Sequence, residues 1–246
     1  MNEEENLPDC LKSISFAGQT VVVDSGSTDD TVKIASALGC EVFVEPWRGF
    51  GPQKQSAIDH CTNPWILLLD ADERIPEKTA LAIKDIVLSP SITAQGFSFP
   101  RRNYFQGRWI RHAGWWPDRL VRLFRKGRGR MTPAKVHESV EVDGMVEQLA
   151  HPIEHYTESS FSKILIKIDH YSTLGAEEAF RGGKTASICS AILRAKLSFL
   201  QNYILRCGFL DGRQGLTLAI TDAINKFFKY AKLAELSRET SKKQDR

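Results

Sequence analysis

Short, wholly apolar runs alternate with amphipathic segments over residues 1–90. Thr20-Val21-Val22-Val23-Asp24, Glu41 to Glu45 and Trp65-Ile66-Leu67-Leu68-Leu69-Asp70 read as strands. Leu7 to Ile14, Thr28 to Leu38, Gln53 to His60 and, after Pro76 in a first helical turn, Glu77 to Leu88 read as helices. Strands apolar at every position are buried on both faces, so the pattern predicts an α/β fold with a mainly parallel sheet and helices on both sides. From Gly96 to Tyr156 the texture is strand-like: Gly96 to Pro100, Arg119 to Arg125 and Val136 to Val142, with Asp143-Gly144 as a hairpin signal. The rest reads as helical. Phe161, Ile164, Leu165, Ile168 and Tyr171 mark one apolar stripe, and longer segments follow around Ile188–Arg206 and Gly215–Leu236. No internal repeat is present, and the final Lys-, Glu- and Ser-rich residues look like a frayed tail.

Composition narrows the class. Of 246 residues, 42% are hydrophobic and 26% charged, enough for a sizeable core and unlike a disordered chain. No run approaches the ~18 apolar residues of a spanning helix. Met1 to Asn6 carries three glutamates and no apolar core, which speaks against a secretory leader. Five scattered cysteines without CxxC spacing argue against a disulfide framework or a zinc cluster and for a reducing cytoplasm. The net charge of +3 conceals an asymmetry, because residues 160–246 hold 15 Lys and Arg against 8 Asp and Glu. Between Arg101 and Lys135 there are eleven basic residues and one acid, Asp118, which suits an anionic substrate; no nucleic-acid signature accompanies them.

Two apolar strands end in aspartate, Asp24 and Asp70. Ligands of open α/β sheets bind beyond the carboxyl ends of strands, so both acids point to one rim. Asp70-Ala71-Asp72 sets two hard carboxylates two residues apart, a pattern that suits Mg²⁺ or Mn²⁺ carrying a diphosphate. In Asp24-Ser25-Gly26-Ser27-Thr28-Asp29-Asp30-Thr31, Ser27 as N-cap and Asp30 three residues on resemble a capping box, while Asp24 remains to accept hydrogen bonds from a base or ribose.

Asn2-Glu3-Glu4, Val23-Asp24-Ser25-Gly26-Ser27-Thr28-Asp29 and Leu69-Asp70-Ala71-Asp72-Glu73 resemble the successive motifs of family 2 glycosyltransferases with the GT-A fold. Gly114-Trp115-Trp116-Pro117-Asp118-Arg119, Arg122-Leu123-Phe124, Val136-His137-Glu138, His155-Tyr156 and Gly208-Phe209-Leu210-Asp211-Gly212-Arg213 resemble a narrower branch, the bacterial lipopolysaccharide-core β-1,4-glucosyltransferase type. The similarity covers nearly the whole chain. It implies an inverting, metal-assisted transfer of a sugar, glucose by family analogy, from a UDP-sugar to a lipopolysaccharide-core or related glycolipid acceptor.

The resemblance also implies roles. Asp24, with Ser25, Glu3 and Glu4, would hold the nucleoside; Asp70 would lie near ribose and sugar; Asp72 would reach the diphosphate through the metal, with His155 completing the shell. Arg119 or Arg122 would stabilise the departing diphosphate, and Lys54 would meet phosphate unless it lies on a solvated helix face. Glu138 is the candidate base and Asp118 its rival, unless Asp118 merely partners a nearby arginine; His137, in the same motif, is more often structural than functional when seen alone. Family members carry an apolar strand just before Asn-Glu-Glu, where Met1 stands here, so the first strand is expected to be missing; Gln55 stands where an asparagine is expected. A truncated, non-catalytic nucleotide-sugar-binding or membrane-associated module is the alternative this leaves. The expected domains are a GT-A domain over 1–158 and a basic amphipathic helical region over 159–246. The latter suits peripheral binding to an anionic membrane on the cytoplasmic face, or packing that leaves a homo-oligomer open.

Overall fold

The computed structural model describes residues 1–132, 139–157 and 160–244, with side chains to 238; Val136-His137-Glu138 lies outside them. The chain forms two compact units, Met1–Arg102 with Pro117–Tyr156, and Asn103–Trp116 with Thr157–Arg246.

The first unit opens with α1 (Leu7–Ser13), β1 (Val21–Asp24), α2 (Thr31–Ala37), β2 (Glu41–Val44), α3 (Phe50–His60) and β3 (Trp65–Leu67). It continues through β4 (Glu73–Arg74), α4 (Glu77–Leu88) and β5 (Gly96–Phe105), the last three residues of which belong to the second unit. β6 (Arg108–Trp109) lies in that second unit; β7 (Asp118–Arg125), β8 (Gly129–Met131), β9 (Val140–Val142), β10 (Val146–Gln148) and β11 (Ile153–Tyr156) return to the first.

The α/β class and the helical extension stand as expected. Strand direction is mixed: β1 and β2 pair in parallel as a sheet of their own, whereas β3–β7, β5–β7 and β11–β4 are antiparallel in the order β3-β7-β5-β11-β4. The apolar run of β3 reflects burial on both faces. Trp65, Leu67 and Leu69 pack on a core of Ile75, Ile83, Ile86, Phe97, Phe99, Leu123 and Ile153, while Ile66 and Leu68 join Ile58 and Phe124 on the other side. Antiparallel neighbours satisfy that pattern as well as parallel ones do. Val21 to Val23 are only half-buried, because among the described residues no strand pairs with the second edge of β1, nor with that of β3.

Three local expectations change. α2 starts at Thr31, and the Ser27/Asp30 capping box does not form. The Ser27 hydroxyl donates to Asp24 instead, and the first amides of α2 are served by Asp29, which accepts from Thr31 N at 3.0 Å, and by Glu4, which accepts from Asp30 N at 3.0 Å. Asp143-Gly144 makes no hairpin: β9 pairs with β8 and β10 runs parallel to β5. Of the stripe on α5 (Phe161–Arg181), Ile168 is buried and Ile164 packs on a core residue, but Phe161, Leu165 and Tyr171 face out.

The second unit comprises α5, α6 (Ile188–Leu200), a π turn (Gln201–Leu205), a 3-10 turn (Gly208–Asp211) and α7 (Gly212–Gln244), which packs along both α5 and α6. Lys232 fixes α7 to α5, donating to the Asp169 carboxylate at 2.7 Å and to the hydroxyls of Ser172 and Thr173 at 2.9 and 2.7 Å. The Gly-Phe-Leu-Asp-Gly-Arg motif serves this architecture. Buried Asp211 accepts from the amides of Arg111 and His112, and a Cβ on Gly215 would sit 1.9 Å from the Gly208 carbonyl.

Asp222 of α7 accepts from Asn202 Nδ2 at 2.9 Å, and burial pushes its carboxyl up to about 6 against the pull of Lys226 and Arg206. The unfolded chain loses this proton near pH 4 (approximately) while the folded chain keeps it, so the Asp222 contribution to stability falls as pH rises from about 4 to about 6 and is level above. Asp222→Asn should flatten that part of the curve. Melting temperatures of parent and variant across this window check it; equal pH sensitivity in the two would contradict it.

Candidate functional site

The chemistry-bearing side chains of the first unit gather at the C-terminal end of β3 and on the pairs that follow it. Asp70 leaves β3 with each carboxylate oxygen claimed: Oδ1 by Lys54 Nζ of α3 at 2.8 Å, Oδ2 by Arg122 Nη2 of β7 at 2.7 Å. Burial alone would raise its pKa, but Arg122 and Lys54 outweigh that and hold the carboxyl well below the usual carboxylate range. Arg122 also donates to Glu73, fully buried on β4, at 2.6 Å. Burial opposes the guanidinium charge, and Glu73 and Asp70 more than restore it. Arg101 approaches Glu73 at 3.4 Å and binds Asp118 through Nη2 at 2.6 Å and Nε at 2.9 Å. Lys54, Asp70, Arg122, Glu73, Arg101 and Asp118 thus form one chain of alternating charge.

Local backbone geometry explains how Arg122 reaches it. Along β5–β7 the register passes from Phe97↔Leu123 to Ser98↔Val121, so Arg122 is the extra residue of a β-bulge. A bulge bends its strand and re-aims one side chain. Here it turns Arg122 from the strand's ordinary alternation toward the two acids.

Asp72 stands apart from this chain. Antiparallel pairing of β4 with β11 sets His155 opposite Glu73, and the Asp72 carbonyl accepts from Tyr156 N at 2.9 Å. The result is an Asp72 Oδ2 to His155 Nε2 contact of 3.2 Å between two partly exposed side chains. One oxygen and one nitrogen ligand suit a divalent cation that takes its other ligands from phosphate and water. No group of three or more His, Cys, Asp or Glu suited to a metal occurs among the described residues. A cation held by Asp72 and His155 would take its remaining ligands from outside the described residues.

Asp24, buried at the end of β1, faces its own turn. Oδ2 accepts from Gly26 N at 2.8 Å and Ser27 N at 2.7 Å, and Oδ1 from the Ser27 hydroxyl. Burial would raise its pKa, but these hydrogen bonds lower it overall. Gly26 turns with φ +96°, and half-buried Ser25 lies beside it. Asn2, Glu3 and Glu4 clasp this loop: Asn2 Oδ1 accepts from Thr28 N at 2.8 Å, and Glu3 N donates to Thr31 Oγ1 at 2.8 Å. The same N-terminal segment reaches the Asp70 loop, where Cys10 Sγ donates to the Asp70 carbonyl at 3.7 Å and Ser13 Oγ accepts from Ile75 N at 3.0 Å. Burial pushes the Cys10 thiol up to about 12, so it acts as a neutral donor.

Lys54, Asp70 and Arg122 are thus brought together, and Asp72 is joined to His155. Arg119 is not part of this group; it donates to the Leu149 carbonyl at 3.0 Å. Asp118 has Oδ2 held by Arg101, and Lys54 lies against Asp70 and not on a solvated helix face. Glu138 lies outside the described residues. Two participants, Glu73 and Arg101, carried no assigned role in the sequence; Glu73 follows directly on Asp70-Ala71-Asp72, but its complete burial has no local signature. Gln53, beside Lys54, has both side-chain amide atoms buried without a partner among the described residues, and nothing in the structure explains it. A cavity of about 710 Å³ in the same unit is lined by Arg74, Tyr156, Lys12, Lys84 and Phe16 among others, and not by Asp70 or Asp72.

The family model for glycosyl transferase family 2 matches residues 1–141. The chain is 31% identical over 245 residues to a lipopolysaccharide core biosynthesis glycosyltransferase, LpsC, of Rhizobium meliloti, covering 95% of this chain and 88% of that one. It is 29% identical over 247 residues to an uncharacterized glycosyltransferase of Rickettsia typhi, covering 96% and 85%. Among solved structures, S. aureus TarS 1–349 in complex with UDP-GlcNAc aligns over 97% of this chain and 89% of that chain, with 13% identity and a TM-score of 0.46.

Proposed function

This chain belongs to glycosyl transferase family 2 and is a homologue of a lipopolysaccharide-core glycosyltransferase. From that premise we propose that it moves a hexose, with glucose the first candidate, from a UDP-sugar to a glycolipid of the lipopolysaccharide-core type, inverting the anomeric carbon. The acceptor is lipid-linked, and the enzyme works peripherally at the cytoplasmic face of the inner membrane.

The observation that carries this reading is the pairing of Asp72 with His155 beside an Asp70 whose position is fixed by Lys54 and Arg122. Asp72 and His155 would hold Mg²⁺ or Mn²⁺. Bound there, the cation would neutralise charge on the departing nucleoside diphosphate. Asp70, kept ionised by two cations, orients the ribose and sugar; Arg122 acts as a positioning residue, since its Nη2 is shared between Asp70 and Glu73. The turn closed by Asp24, with Ser25 and the clasp of Glu3 and Glu4, forms the nucleoside side of the site. A single displacement needs one base, which takes the proton of the acceptor hydroxyl as its oxygen bonds to the anomeric carbon and the diphosphate leaves with the bonding pair. Glu138 fills that role in this reading, and the Arg101 contacts to Asp118 favour it over its rival.

Transfer of labelled sugar from a panel of UDP-hexoses to core glycolipid tests the proposal. Glu138→Gln should bind UDP as the parent does while transfer falls by at least about 100-fold, at the low end for loss of general base catalysis. Parent-like turnover in that variant would remove Glu138 as base, and no transfer from any UDP-hexose would remove the donor assignment.

A further inference from the structure

α6 and the π turn after it are built inside out. The residues they bury are Ala191, Ser198 and Asn202, small or polar, with Asn202 bonded to Asp222 of α7. Most of the large apolar residues face away: Ile192, Leu193, Leu197, Leu200, Ile204 and Leu205 are 43% to 78% exposed, while Phe199 and Tyr203 are half-buried. A surface helix of a water-soluble fold ordinarily does the reverse, setting its apolar stripe against the core. At the helical rotation per residue, Leu193, Leu197, Leu200 and Ile204 fall within an arc of roughly 60°. Lys196 lies to one side of that arc and Arg194 to the other, the latter stacked over Tyr230 at 4.4 Å.

Charge identifies what covers the stripe. Between Glu178 and Asp211 the chain has no acidic residue, while Arg181, Lys184, Arg194 and Lys196 lie there; Arg206, in the same stretch, donates to the buried Asn202. A second copy docked through the same face would set these cations against their own equivalents. A bilayer surface bearing anionic phospholipids meets both features, taking the leucines and isoleucines among its acyl chains and the flanking cations at its head groups. No helix among the described residues is long and apolar enough to cross a membrane, so the contact lies in the plane of the interface.

We propose that the exposed face of α6 and the π turn is a membrane-docking surface for anionic phospholipid. It deepens the proposed function, and rests on it, only in that a lipid-linked acceptor would be met at that surface.

Flotation of the full chain with vesicles tests the inference. The protein should float with phosphatidylcholine vesicles containing phosphatidylglycerol, less with phosphatidylcholine alone, and less again as salt is raised. Leu193→Glu/Leu197→Glu should lose at least tenfold in vesicle binding while keeping its helical circular dichroism and its release of UDP from a soluble UDP-sugar. Lys196→Glu should weaken the phosphatidylglycerol dependence without unfolding the chain. A parent that floats with neither vesicle would overturn the inference, as would glutamate variants that float like the parent. So would sedimentation showing a parent dimer that the same variants abolish, because the face would then belong to a second copy. Flotation without UDP release would leave the docking surface standing and remove the transferase reading; UDP release without flotation would do the opposite.

Discussion

Asp72→Asn is expected to lower divalent-dependent release of UDP from a UDP-sugar by at least about 100-fold, the scale of losing one preorganised group that stabilises charge in the transition state. The substitution keeps size and polarity but removes the charge that, in the proposed function, would let Asp72 and His155 together hold a hard cation. Asp72 is partly exposed and its carboxylate meets His155, apart from the Lys54–Asp118 chain, so folding should be unaffected; the melting temperature separates the two effects. His155→Ala should act in the same direction and partly yield to excess Mn²⁺, because a missing ligand weakens the cation site without abolishing it. Undiminished UDP release in Asp72→Asn would remove the metal-holding role from this pair.

Arg122→Met is expected to destabilise the first unit by about 3–5 kcal/mol, the scale of leaving one partner of a buried ion pair uncompensated. Glu73 would remain fully buried with Arg101 at 3.4 Å, and among the described residues Asp70 would keep Lys54 as its cation. The pair is not an ideal one: Arg122 Nε is buried with no partner among the described residues. Removing both charges in Arg122→Met/Glu73→Gln should therefore recover much of the loss. Urea unfolding followed by tryptophan fluorescence, closed as a double-mutant cycle, measures the coupling. A single variant as stable as the parent would mean that the Glu73 charge is satisfied without Arg122.

Features set by neighbours in the chain were legible in the sequence. α4 spans Glu77–Leu88 as its periodicity and Pro76 predict, and the two-faced burial of β3 follows from its unbroken apolar run. What depends on distant partners was not. The start of α2 is set by Glu4 and Asp29 in place of Ser27, because the Ser27 hydroxyl is drawn to Asp24. The turn at Gly144 resembles a hairpin locally, yet its flanks, β9 and β10, pair with β8 and β5. In the site, strand-end Asp24 and Asp70 and the spacing to Asp72 could be read directly. That Arg122 joins them while Arg119 does not depends on a bulge in the pairing with β5, a register no single strand records. Likewise α6 shows an amphipathic pattern in sequence, but only the packed structure tells which face is turned inward.

In the proposed function, carboxylates at the end of β1 and just after β3 serve one nucleotide-sugar site that needs a divalent cation. Release of UDP from UDP-hexoses by the purified chain, with Mn²⁺ or Mg²⁺ and again under chelation, tests it most directly. Release with at least one UDP-hexose should stop on chelation and resume when the metal is restored; release that is equally fast under chelation, or absent with every UDP-hexose and either metal, would contradict a metal-dependent nucleotide-sugar site.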